Sequence, residues 1–139
     1  MVALAQNRNT ARAEGDTLVI GVAAATLIYG GSIVCYNATG FATKGAVATT
    51  LKQVGRAEEQ VDNTAGANGA KTITVKTGTF RWANSAAGDL IAATEVGSDC
   101  FIVDDQTVAK TNGGATRSRA GKVVNVDAQG VWVKMGPEF

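Results

Sequence analysis

The chain has 139 residues, enough for one domain that buries about two thirds of the surface its unfolded form exposes. Its 45% hydrophobic and 18% charged residues exclude a disordered or polyelectrolyte chain. A net charge of +1 supplies no pull on nucleic acid or anionic lipid, and the absence of histidine removes every Ser-His-Asp or Cys-His mechanism and the commonest zinc ligand.

Residues 1–15, MVALAQNRNTARAEG, carry Arg8 and Arg12 without a sustained apolar period and read as an extended arm. Met1 to Ala5 has neither the basic start nor the apolar run of a signal peptide. The longest apolar run, TLVIGVAAATLIYG, is broken by glycine and too short for a membrane-spanning helix. Residues 16–135 are expected to form a single β domain, and 136–139, GPEF, a tail outside it.

Within that domain DTLVIGVA and SIVCYN read as strands bounded by turns, with Gly30-Gly31 between them. Two stretches have helical potential, ATTLKQVGRAEEQ around Leu51 and SAAGDLIAATEVG around Ile91, each short and interrupted by glycine. DNTAGANGA, residues 62–70, reads as a loop or wide turn. In KTITVKTGTFRWANSAAGD, Thr72, Thr74 and Lys76 alternate with Ile73 and Val75 at the period of a half-buried strand. Phe80 and Trp82 continue the alternation beyond Gly78.

The clearest hairpin is AGKVVNVDAQGVWVKM, with residues 122–126 and 131–135 as strands around a four-residue connection, Asp127-Ala128-Gln129-Gly130. Val131, Val133 and Met135 share its core face, and Trp132 and Lys134 the other. Strand signals recurring roughly every 8–15 residues predict a mainly β protein, a small antiparallel jelly-roll or β-barrel/sandwich.

The candidate chemistry is sparse. Asp104 and Asp105, in VDDQTVAKT, are adjacent, so on a strand they would point to opposite faces; they read as the turn between CFIV and TVAK. Neither this run nor residues 62–71 has the ligand spacing of a calcium loop. NGGATRSRAGK fails as a phosphate loop, with Val123 where serine or threonine is required. Arg117, Arg119 and Lys122 form either a solvated loop or a patch for an anion or a protein partner. Trp82 and Trp132 suit a sugar-stacking platform less well than half-buried packing. Cys35 and Cys100 match no zinc or disulfide framework and read as free buried thiols, with a single bridge as the alternative. Asn37-Ala38-Thr39 matches the glycosylation pattern by a three-residue motif alone. No catalytic, metal or cofactor site is expected.

Two longer segments, VGRAEEQVDNTAGANGAKTITVKTGTFRWANSAAGD (residues 54–89) and DCFIVDDQTVAKTNGGATRSRAGKVVNVDAQGVWVKM (residues 99–135), resemble the capsid cement, or head decoration, proteins of tailed bacteriophages and Mu-like prophages. Residues 103–121 are the most specific part, and a looser likeness runs through EGDTLVIGVAAATLIYGGSIVCYN. The resemblance implies a non-enzymatic virion protein with a jelly-roll or tulip-like fold, made in the bacterial cytoplasm. It implies binding to the outer surface of the head, with the major capsid protein and further copies of itself, as dimer or trimer, as partners. Nucleic acid and membrane are not expected partners. By position, Arg8 and Arg12 in the arm and Arg117 and Arg119 in the late loop are the expected capsid contacts. The alternative is a carbohydrate-binding module displayed on a virion or cell surface.

Overall fold

A computed structural model describes residues 2–11 and 15–137. Twelve strands are present among them: β1 (Thr17–Gly21), β2 (Thr26–Ile28), β3 (Ile33–Tyr36), β4 (Ala42–Lys44), β5 (Lys52–Ala57), β6 (Val61–Asn63), β7 (Thr72–Lys76), β8 (Gly78–Asn84), β9 (Asp99–Ile102), β10 (Thr107–Ala109), β11 (Arg119–Asp127) and β12 (Gly130–Met135). They form an antiparallel sheet in the order β1-β7-β5-β3-β4, a small pair β2-β6, and a closed barrel in the order β10-β8-β12-β11-β9. The fold is mainly β, as the strand spacing predicts. Residues 2–11 are exposed and belong to no strand or helix.

The core falls into two clusters that meet at β3. Ile20, Val22, Val34, Val54, Ile73 and Val75 pack between the open sheet and the β2-β6 pair. Trp82, Cys100, Ile102, Val131, Val133 and Met135 fill the barrel, together with Ile33 and Cys35. Alternate side chains of one strand thus enter different cores: Val34 goes to the sheet, Ile33 and Cys35 to the barrel. A strand buried on both faces must be apolar throughout, which is why IVCY carries no polar alternation. β7 and β8 are joined through Thr77, so the alternating run of residues 72–82 supplies Ile73 and Val75 to one core and Phe80 and Trp82 to the other.

Several sequence expectations change. The stretch around Leu51 is strand β5, not helix, pairing with both β3 and β7. Its Gly55 lies so close to β7 that an added Cβ would stand 2.0 Å from Lys76 O. Around Ile91 the only helical geometry is two single 3₁₀ turns, Ala87–Asp89 and Ala93–Glu95. Between them the Asn84 amide grips the Ile91 backbone, accepting its N–H at 2.9 Å and donating to its carbonyl at 2.8 Å. Those bonds satisfy the polar groups a helix would otherwise pair. Asp62 and Asn63, the first two residues of the expected loop 62–70, belong to strand β6, which pairs with β2. The β11–β12 connection is tighter than four residues, because Asp127 and Gly130 pair with each other. Asp127 Oδ1 accepts the N–H groups of Gln129 and Gly130 at 2.8 and 3.0 Å, which closes the turn.

Candidate interaction surface

The paired aspartates occupy the β9–β10 turn, as their spacing predicts. Asp104 Oδ1 accepts the Gln106 N–H at 2.9 Å, the bond typical of an Asx turn. Asp105 acts through its backbone, its carbonyl accepting the Ile33 N–H at 2.8 Å and so tying the barrel turn to β3. Asp104 thus closes the turn, and Asp105 joins it to β3. Among the described residues no group of three or more Cys, Asp and Glu side chains is placed to hold a metal ion, and no helix is long and apolar enough to cross a membrane.

The late-loop arginines are engaged within the chain. Arg117 Nη1 lies 3.2 Å from Asp89 Oδ2 and donates to Thr111 O at 3.1 Å. Thr111 Oγ1 donates to Asp89 Oδ1 at 2.5 Å. Arg119 Nε lies 2.7 Å from Asp99 Oδ1, which Lys122 Nζ approaches at 3.1 Å. Lys110 reaches Glu95 at 3.3 Å. Together these contacts fasten residues 110–122 to the β8–β9 connection and the start of β9. The Thr111 hydrogen bond, aided by Arg117, holds the Asp89 carboxyl below the usual range, and Arg119, aided by Lys122, does the same for Asp99. Arg8 stands apart from this network in the exposed segment 2–11. Arg12 lies outside the described residues.

The two tryptophans sit on opposite sides of the barrel wall. Trp82 is buried, 5% exposed, with its indole N–H 3.1 Å from Met135 Sδ. Trp132 is half-buried on the outer side, its indole N–H donating to Asp127 Oδ2 at 2.8 Å. With its ring buried, Trp82 leaves Trp132 as the tryptophan of the pair with a face open to stacking. The outer surface around Trp132 has another character. The Arg81 guanidinium lies 5.5 Å from the Trp132 ring centre, and that of Arg56 lies 4.7 Å from the Phe80 ring centre. With Gly31, Thr79 and Trp82 these residues border a groove of about 310 Å³. Arginine and aromatic side chains are the types enriched where proteins bind one another. Sequence reasoning passed over Arg56 and Arg81. The available signal was FRW, which places an arginine between two aromatic residues on alternate faces.

Cys35 and Cys100 are free and fully buried. Burial pushes both thiols up to about 12, so neither supplies a thiolate at neutral pH. Comparison of the chain with protein-family models, curated proteins and solved structures returned no match.

Proposed function

We propose that this chain is a structural protein of a tailed-phage virion. It binds the outer surface of an icosahedral head across junctions between capsid subunits and stabilises the head without catalysis or a cofactor. The observation that carries the reading is the resemblance of residues 54–89 and 99–135 to capsid cement proteins. The small β fold is compatible with that role.

The physical mechanism is linkage. A protein that binds the assembled shell but not separate subunits shifts the equilibrium toward the shell by its binding free energy. A dimer or trimer touching several subunits adds avidity, so modest contacts suffice when repeated over the lattice. The exposed segment 2–11, with Val2 97% and Leu4 73% exposed, is suited to lie extended on a neighbouring subunit. Its apolar side chains then gain burial that the fold itself does not provide.

The alternative sugar-binding reading retains one half-buried tryptophan, Trp132, since Trp82 is inside the barrel. Electron microscopy of purified heads with and without the protein, with the thermal stability of both, tests the proposal. Added outer density and a raised head melting temperature are expected, with occupancy reduced when residues 1–14 are deleted. Bare heads at saturating protein would refute it.

A further inference from the structure

The barrel is closed by a short parallel pairing that leaves part of one strand edge open. β10 reaches β8 only at Ala83 and Asn84, whereas β12 runs beside β8 from Gly78 to Trp82. The Ala83 N–H points away from β12, donating to Gln106 O at 2.8 Å. The Trp82 carbonyl faces β12, where a Cβ added to Gly130 would stand 2.3 Å from it. Backbone groups alternate in direction along a strand. Thr79 and Arg81 therefore turn their N–H and C=O groups to the side on which β8 has no strand partner at these positions among the described residues. Both residues are exposed. An open edge of this kind is a template for an added strand.

The side chains around this edge specify what such a strand would carry. Among the described residues no carboxylate borders the groove. The nearby Asp127 is engaged by the Trp132 indole and two turn amides. Arg56 bonds Glu58 at 2.8 Å, whereas the Arg81 guanidinium rests on the Trp132 ring and acts on the Asp127 carboxylate through charge alone, with no hydrogen bond or close ion pair among the described residues. A guanidinium laid on an aromatic ring is already ordered and keeps its fork of donors free for a carboxylate. Arg81 and Trp132 face each other in the β8–β12 register, so the barrel wall itself sets the stack. At about 310 Å³ the groove lies near the small end of ligand cavities and admits one or two side chains.

We propose that the open edge of β8 takes an extended acidic segment of the partner protein as an added strand. Thr79 and Arg81 supply the backbone hydrogen bonds, the Arg81 side chain recognises a carboxylate, and Arg56 provides a second cation. That the segment belongs to a capsid protein rests on the functional reading above; the docking chemistry does not.

The test is an NMR titration of the ¹⁵N-labelled full-length chain with a capped peptide of alternating threonine and glutamate, and with its threonine–lysine counterpart. The acidic peptide should shift the amide signals of Thr79 and Arg81 and the indole signal of Trp132. Arg81→Ala should weaken its binding about tenfold, the loss of one charge-assisted contact, with Arg81→Lys in between. Three results would overturn the proposal: no shift at Thr79 and Arg81, equal binding of the lysine peptide, or unchanged affinity in a natively folded Arg81→Ala. Decoration of heads without peptide docking would sink the groove and spare the capsid reading. Peptide docking without decoration would do the reverse.

Discussion

Gln53 of β5 holds both backbone groups of Gly136: its Oε1 accepts the Gly136 N–H at 2.8 Å and its Nε2 donates to the Gly136 carbonyl. Both residues are buried. One amide side chain thus pins the chain just after β12 against the open sheet, and joins the two halves of the fold at a second place besides β3. Gln53→Leu leaves two buried backbone groups unpaired, at a cost of roughly 2–4 kcal/mol. A fall in Tm of about 5–10 °C is expected in thermal denaturation, and an unchanged Tm would show that the pair contributes nothing.

Gly55 makes a sharper steric prediction. A Cβ there would stand 2.0 Å from Lys76 O and 2.8 Å from Lys76 C, both backbone atoms of β7. Gly55→Ala must separate β5 from β7 and is expected to destabilise by about 3 kcal/mol or more. Gly88→Ala is the control, since a Cβ at Gly88 meets nothing within 4 Å; its effect should stay within about 0.5 kcal/mol. Denaturant titration of the two variants checks the contrast.

Acid should be the destabilising direction of pH. The carboxyls of Asp89, Asp99 and Asp127 are held below their ordinary range, chiefly by hydrogen bonds from Thr111, Arg119 and the Trp132 indole respectively. Carboxylates depressed in the folded state contribute stability above their unfolded value, near 3.9, and lose it as pH falls through the folded value. Tm is expected to be flat from roughly pH 6 to 8, where the chain has no histidine to titrate, and to drop below about pH 4. Asp99→Asn should lower Tm at neutral pH and make the acid-side drop shallower. A Tm series across pH on both proteins reads this directly.

The thiols should be silent in the native state. Cys35 and Cys100 are fully buried and pushed up to about 12, so a thiol reagent at neutral pH has neither access nor thiolate. Labelling is expected only as fast as the protein unfolds, and both thiols should react in denaturant. Rapid native labelling of either would contradict the packing of β3 and β9 into the barrel.

The strands that the sequence by itself determines are those with enough residues to display a period. Thr72, Thr74 and Lys76 alternate with Ile73 and Val75, and Trp132 and Lys134 with Val131, Val133 and Met135, because one face of each strand is buried and side chains alternate between faces. Asp104 was legible as a turn residue because its side chain bonds its own local backbone. β2, β4 and β6 span three residues each, too few to show a period. β5 is not legible in the sequence because Gln53, Gly55 and Arg56 carry no strand signal of their own. Their places depend on Gly136, Lys76 and Phe80, supplied by distant parts of the chain.

The same division separates the expected contacts from the groove. Arg117 and Arg119 stood out in the sequence as cations in a glycine-rich loop, and only the tertiary structure supplied Asp89 and Asp99 to engage them. Arg81 was unremarked, because its setting arises from the β8–β12 register that brings Trp132 beneath it and from the shortness of β10, which leaves the edge of β8 open. Local periodicity is a property of neighbouring residues. Which charges are neutralised and which strand edge stays open are decided by residues far apart in the chain.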